Sequence, residues 1–318
     1  MTRRTFLTTT AGVSALRGQA HLEPFPVRGL NLSVTCDMFR GPDRGLPEDD
    51  HKAEAWGRPT QGVRQRKYDP DSALAMLHAA GYQAFEMFNW RDVDELNAYR
   101  NAQKKYGLNC ACLVANKGVR APGCSLNNPS EHEGFLREIE HAAAAAKLVG
   151  SKRLVVLSGM DRPGISRSEQ LDHCVDGLRA AIPLLEHHDM TIIVETINTL
   201  VTRPGYFLCC SKEAFSVMER VANERVKLLF DIYHVQIMDG HIIPQIRNKI
   251  EMIGHFQVGD HPGRHQPGTG EIHHRNVFRQ IYNLQQAGKF DGYVGLEYHP
   301  TVPLGQTLGA VRELANFG

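Results

Sequence analysis

Eight short apolar runs punctuate the chain, and nearly all of them lead into a stretch with helical spacing. They are Asn31 to Thr35, Gln83 to Met87, Cys110 to Val114, Arg153 to Leu157, Thr191 to Glu195, Val226 to Phe230, Gly254 to Val258 and Tyr293 to Leu296. Most are continuous in Val, Ile and Leu, as expected of strands buried on both faces of a parallel sheet. Between the runs the period changes. Leu171, Val175, Leu178, Ile182 and Leu185 step by four, three, four and three, which is one face of a helix. Asp69-Pro70 reads as an N-cap followed by proline at the first helical position, and Gly81 and Gly107 read as helix stops. Further helices are expected from Asp92 to Tyr106, from Pro129 through Ala146, after Ser211, and over His241 to Ile250, Val277 to Ala287 and Leu304 to Asn316. Eight βα units predict an α/β fold, a single (β/α)8 TIM barrel. A doubly wound open sheet is the alternative, disfavoured because no G-x-G-x-x-G follows the first run.

Two segments fall outside this alternation. Residues 1–27 are set apart as a tail. There Arg3-Arg4, then Phe6-Leu7 and a mildly apolar stretch to Leu16, look like a twin-arginine export signal. Such a signal implies delivery to the periplasm, with a cytoplasmic location as the alternative. The barrel then takes residues 28–318, interrupted by a polar insertion over 40–68 that is too long for a simple connection. The insertion is a candidate lid or homo-oligomer contact.

Composition narrows the function classes. The 318 residues are 42% hydrophobic and 22% charged, with 36 Lys plus Arg against 35 Asp plus Glu. A net charge of +1 without blocks of one sign gives no support to a nucleic-acid groove. No apolar run approaches the ~20 residues of a membrane span. The seven cysteines show no C-x-x-C spacing, and most sit inside apolar runs, so they read as small buried hydrophobes. A small-molecule partner is therefore expected.

The chemistry gathers at the carboxyl ends of the last four runs. Glu195, Asp231, Gln257 and Glu297 stand at those ends, on consecutive strands of the expected barrel. Barrel active sites lie on that face. Three carboxylates crowded there would repel one another and raise their pKa values, a cost that a divalent cation removes. An all-oxygen set with one amide suits Mg²⁺ or Mn²⁺. Ion pairs or helix caps at strand ends are the plainer alternative, weakened by the coincidence on four strands in succession. His234, three residues past Asp231, is a candidate substrate contact. Arg264, in the glycine-rich loop over residues 259–270, is placed to clamp a carboxylate or hydroxyl pair. Glu86, near the end of the second run, is either a substrate hydrogen-bond acceptor or a structural ion-pair partner. Asn116 and Lys117 after the third run are weaker candidates.

Several stretches carry a resemblance to a known family. They are Val194-Glu-Thr-Ile-Asn-Thr199, Pro204-Gly-Tyr-Phe-Leu208, Phe230-Asp-Ile-Tyr-His-Val-Gln236, His255-Phe-Gln-Val258, Pro262-Gly-Arg-His-Gln-Pro-Gly-Thr-Gly-Glu-Ile272 and Gly295-Leu-Glu-Tyr-His-Pro300. Together they resemble the hydroxypyruvate isomerase branch of the xylose isomerase-like TIM barrels. The resemblance implies metal ligation by Glu195, Asp231, Gln257 and Glu297, an acid/base pair of Glu195 and Glu297, and His234 and Arg264 near substrate. It implies a metal-dependent isomerase that moves a proton between adjacent carbons of a small hydroxy-carbonyl compound through an enediolate. A sugar or inosose isomerase, 3-epimerase or dehydratase on the same site is the nearest alternative. An endonuclease IV-like metal phosphodiesterase, which needs many histidine ligands and a basic surface, and a non-catalytic sugar-binding barrel are the others. The chain departs from the family in the loop from Asn116 to Ser125, and at His299, where lysine is expected.

Overall fold

The computed structural model describes residues 29–39, 68–117 and 122–317. The export signal and the lid expected in the tail and the 40–68 insertion lie outside the described residues, apart from Tyr68. The eight apolar runs form eight strands: β1 Leu32–Thr35, β2 Ala84–Met87, β3 Asn109–Val114, β4 Arg153–Leu157, β5 Thr191–Glu195, β6 Val226–Asp231, β7 Ile253–Val258 and β8 Val294–Leu296. Neighbouring strands are parallel, and β8 pairs with β1, so the sheet closes in sequence order. This is the single (β/α)8 TIM barrel that the alternation predicts.

Outside the strands run α1 Pro70–Ala79, α2 Val93–Tyr106, α3 His132–Leu148, α4 Arg167–His188, α5 Ser211–Val221, α6 Ile232–Met238, α7 Ile242–Lys249, α8 His274–Gln286 and α9 Leu304–Leu314. Their ends follow local chemistry. Asp69 caps α1 by accepting the N–H groups of Asp71 and Ser72, each at 3.1 Å. Gly107 closes α2 in the left-handed region at φ 66°. Periodicity does not predict the seven-residue α6, which has too few turns to show a repeat. Asp231 starts it by accepting the Tyr233 N–H at 2.9 Å. No helix among the described residues is long and apolar enough to cross a membrane. Five of the seven cysteines are buried, and Cys209 and Cys210 are half-buried.

The interior of the barrel is what positions the site. Cys112, Val155, Ile193 and Leu229 form a separate apolar cluster from four successive strands. The strands on the other side contribute a polar patch instead: Ser33, Glu86 and His255, all fully buried, with Ser33 and His255 both hydrogen-bonded to Glu86. Side chains alternate along a strand, so residues two positions on from Ile193, Leu229, His255 and Gly295 also face inward, one layer nearer the carboxyl ends. Those residues are Glu195, Asp231, Gln257 and Glu297. The convergence of the four is thus a result of strand periodicity and barrel closure together.

Gly295 is needed at its place. A Cβ there would lie 1.8 Å from Glu86 Oε1, because the Glu86 side chain reaches across to β8. Gly309, in the exposed middle of α9, meets nothing within 4 Å. Gly295→Ala should therefore destabilise the barrel by about 2 kcal/mol or more through overpacking. Gly309→Ala should stabilise it by about 0.5–1 kcal/mol through helix propensity. Denaturant midpoints of the two variants check this, and a Gly295→Ala midpoint equal to that of the parent would refute the packing argument.

Candidate active site

Glu195 ends β5, Asp231 ends β6, Gln257 stands one residue before the end of β7, and Glu297 follows β8. Asp231 is paired in register with Gln257 across the β6–β7 ladder, and Gln257 with Gly295 across β7–β8. Among the described residues, ligating atoms of Glu195, Asp231 and His234 lie within 4.8 Å of one another. Glu297 joins them through Arg264. One guanidinium nitrogen, Nη2, lies 2.7 Å from Asp231 Oδ2 and 2.9 Å from Glu297 Oε2. Arg264 Nε also donates to the Glu297 carbonyl oxygen at 3.2 Å, and the guanidinium lies over the Tyr233 ring, 5.0 Å from its centroid. The clamp expected on a substrate is thus a group already engaged with two site carboxylates.

Burial and like charge set the protonation of the site. Burial pushes the Glu195 carboxyl well above its ordinary range, and the charges of Glu297 and Asp231 push the same way. Burial raises Glu297 to about 7, with Arg264 opposing and Asp231 and Glu86 adding. Asp231 is also raised by burial, moderated by Arg264 and by backbone N–H groups at the start of α6. His234 is lowered well below its ordinary value by burial and by the Arg264 charge, so it is neutral near pH 7. Glu297 can therefore exchange a proton near neutrality, with Glu195 also raised, beside a neutral imidazole and a permanent cation.

Glu86 is not at the mouth. Its Oε1 accepts from Ser33 Oγ at 2.6 Å and lies 2.7 Å from His255 Nε2, and its Oε2 accepts from Gln257 Nε2 at 2.8 Å. Of the two readings open for Glu86, substrate acceptor or structural partner, these contacts fit the structural one. Burial alone would raise its carboxyl, but the His255 ring and the bonds from His255, Ser33 and Gln257 hold it below its ordinary value. Asn116 is likewise structural, tying the ends of β3 and β4 through bonds to Cys124 and to both the N–H and the carbonyl of Leu157.

This arrangement tests the donor set for a cation. Because Glu86 takes the Gln257 amide nitrogen, the amide oxygen faces away from Glu86. Gln257 Oε1 is buried with no hydrogen-bond partner. A buried acceptor without a partner is costly, and a divalent cation among Glu195, Asp231 and Glu297 would satisfy it. Three carboxylates and one amide oxygen fit a hard cation.

Sequence reasoning missed the residues that hold this set in place. Tyr206 accepts the Ser158 N–H at 2.9 Å and donates to the Glu195 carbonyl oxygen at 3.0 Å, anchoring the end of β5. Asp260 organises the loop that delivers Arg264. Its carboxylate accepts N–H groups from His261, Gly268, Thr269 and Ile272, at 2.9, 2.8, 3.0 and 3.2 Å. Both residues lie within or beside the motif stretches, which is the signal that was available for them.

The family model described as the xylose isomerase-like TIM barrel matches residues 74–316, and the chain belongs to that family. It is 30% identical over 235 residues to a human putative hydroxypyruvate isomerase, covering 71% of this chain and 83% of the relative. It is 29% identical over 184 residues to a 2-oxo-tetronate isomerase from Cupriavidus necator, covering 58% of this chain and 69% of that one. Among solved structures, a family 2 AP endonuclease from Brucella melitensis superposes with a TM-score of 0.71 at 22% identity, covering 89% of this chain and 98% of the other. At that identity the superposition shows the fold alone.

The Asp260 carboxyl is held at about 2. Burial would raise it, but the bond from His274 and the backbone N–H groups outweigh burial. A depressed carboxyl contributes stability above its unfolded pKa of about 4, and the contribution is lost as pH falls towards 2. Asp260→Asn should therefore cost about 2 kcal/mol near pH 7, and the gap to the parent should close as pH falls from about 4 towards 2. Denaturant midpoints across pH 2–7 check it, and a gap that persists unchanged to pH 2 counts against the ionised carboxylate as the source.

Proposed function

We propose that this chain is a divalent-metal-dependent isomerase of small hydroxy-carbonyl compounds, with hydroxypyruvate-like keto acids as its first substrate class. The observation that carries the reading is the pair of half-buried carboxyls with raised proton affinity, Glu195 at the end of β5 and Glu297 just past β8, beside Asp231. Glu195, Asp231, Gln257 and Glu297 would hold the cation, Mg²⁺ or Mn²⁺. When bound, it supplies Lewis-acid charge for the substrate oxygens on which negative charge develops.

The rest of the chemistry belongs to the chain. One glutamate removes the proton from a carbon next to the carbonyl, and the electron pair moves onto the carbonyl oxygen to give an enediolate. The other glutamate, protonated at the outset, returns a proton at the neighbouring carbon, and the hydroxyl proton passes to the former carbonyl oxygen, which exchanges the positions of carbonyl and hydroxyl. Return to the same carbon from the opposite face would give epimerisation, one alternative for a sugar or inosose on the same residues. His234, neutral and buried, donates a hydrogen bond and does not carry the moving proton. Arg264 offers fixed positive charge to a substrate carboxylate at the same mouth.

The phosphodiesterase alternative draws less support. Such an enzyme binds a polyanion, and a net charge of +1 without blocks of one sign supplies no basic surface for it.

The test is turnover of a panel holding hydroxypyruvate, ketopentoses, ketohexoses and inosose, with and without Mn²⁺ or Mg²⁺, in deuterated water. Cation-dependent turnover with solvent deuterium in the product is expected. Glu297→Gln should lower kcat by roughly 10²- to 10⁴-fold. Asp231→Asn should weaken cation binding measured by calorimetry. Inertness to the whole panel, or a Glu297→Gln variant as active as the parent, would sink the reading.

A further inference from the structure

Asn198, in the loop after β5, is fully buried and makes four hydrogen bonds. Its Oδ1 accepts the N–H groups of Val201 and Thr202, both at 2.9 Å. Its Nδ2 donates to Thr202 Oγ1 at 3.0 Å and lies 2.7 Å from His234 Nδ1. The amide has one allowed orientation, because flipping it would turn its NH₂ against two backbone N–H groups. The nitrogen facing His234 is therefore a donor, and His234 Nδ1 must accept.

We infer that Asn198 is a positioning residue that fixes His234 as the Nε2–H tautomer and turns that N–H into the site as a hydrogen-bond donor for a substrate oxygen. His234 Nε2 stands 3.4 Å from Asp231 Oδ2 and 3.8 Å from Glu195 Oε1. Both separations exceed an ordinary N–H···O bond of about 2.9 Å. The N–H is thus aimed between two carboxylates and closes on neither. An oxygen of a bound hydroxy-carbonyl compound entering beside Glu195 would take it. The opposite tautomer would present a lone pair to two carboxylates and could not donate to a substrate oxygen.

The inference concerns one bond vector, fixed two steps from the reacting atoms. Backbone N–H groups set the amide, the amide sets the ring, and the ring presents the donor. No bond is made or broken in this relay. The consequence for turnover rests on the isomerase reading, whereas the tautomer does not.

The experiment is two-bond ¹H–¹⁵N correlation on the full-length protein with Mg²⁺ present, with the His234 signals assigned by their loss in His234→Gln. The parent should show His234 as Nε2–H. In Asn198→Asp, one carboxylate oxygen keeps the two backbone bonds and the other can only accept, so the tautomer should invert to Nδ1–H. That variant should lose roughly 10- to 100-fold in kcat while KM moves little. Should Asn198→Asp fail to fold, Asn198→Ala leaves Nδ1 without its donor and should show a mixture of tautomers. A parent in the Nδ1–H form, an Asn198→Ala protein purely Nε2–H, or an inverted tautomer with unchanged kcat overturns the proposal. Failure of the isomerase reading shows differently, as absence of turnover in the parent, so the two are read separately.

Discussion

Like charge at the barrel mouth is the constraint to which the rest of the structure answers. Barrel closure brings Glu195, Asp231 and Glu297 together whether or not their charges agree. Two full negative charges ~5 Å apart repel by about 3 kcal/mol at an effective dielectric of about 20. Relief comes from two sources within the chain. The Arg264 guanidinium inserts a single nitrogen between Asp231 and Glu297. The carboxyls also hold protons more tightly, with Glu297 raised to about 7 by burial and its neighbours. Both responses leave a site rich in charge, with carboxyls of raised proton affinity beside a fixed cation.

That electrostatic demand reaches into the backbone. Arg264 adopts φ 50°, a left-handed conformation uncommon for a residue with a side chain. Neighbouring bonds hold the strained turn: the Asp260 N–H donates to the His265 carbonyl and the His299 N–H to the Arg264 carbonyl, both at 2.7 Å. Asp260 gathers the far side of the same loop. The loop is thus shaped around delivery of one guanidinium. Gly259 permits the approach, since a Cβ there would meet Arg264 Cγ at 2.9 Å and the Glu297 carbonyl at 3.0 Å.

Legibility of these features in the sequence follows physical locality. The strands and their terminal carboxylates are local: a continuous apolar run ending in an acid marks both element and layer, so Glu195, Asp231 and Glu297 can be placed by counting. Glu86 cannot. The ladder between β2 and β3 shifts register between Phe85 and Glu86, so position along the run does not give depth in the barrel. Its carboxylate closes on Ser33, His255 and Gln257 inside the barrel. Asn198 and Asp260 are short polar residues in loops, where any Asn or Asp can cap a turn. What makes them particular is a partner far along the chain, His234 or His274, which no local pattern reveals. The short α6 fails for a related reason, being started by a residue whose side chain also belongs to the site.

The polar layer beneath the mouth has a reason beyond stability. A buried polar pair such as Glu86 with His255 often contributes no more than well-packed apolar residues would. The apolar half of the same interior, Cys112, Val155, Ile193 and Leu229, shows that such packing is available to this barrel. What the polar half adds is direction. A carboxylate presents equivalent oxygens and needs little orienting, whereas an amide and an imidazole each have two unlike ends. Gln257 and His234 are the two neutral members of the site. Each gives one end to a buried partner, Glu86 or Asn198, which leaves Gln257 Oε1 without a hydrogen-bond partner and His234 Nε2 facing Asp231 and Glu195. Without those partners the amide could present its nitrogen, and the ring a bare lone pair, to a site already crowded with negative charge. The buried polar groups are therefore best understood as the means by which two neutral side chains present the correct end to the mouth.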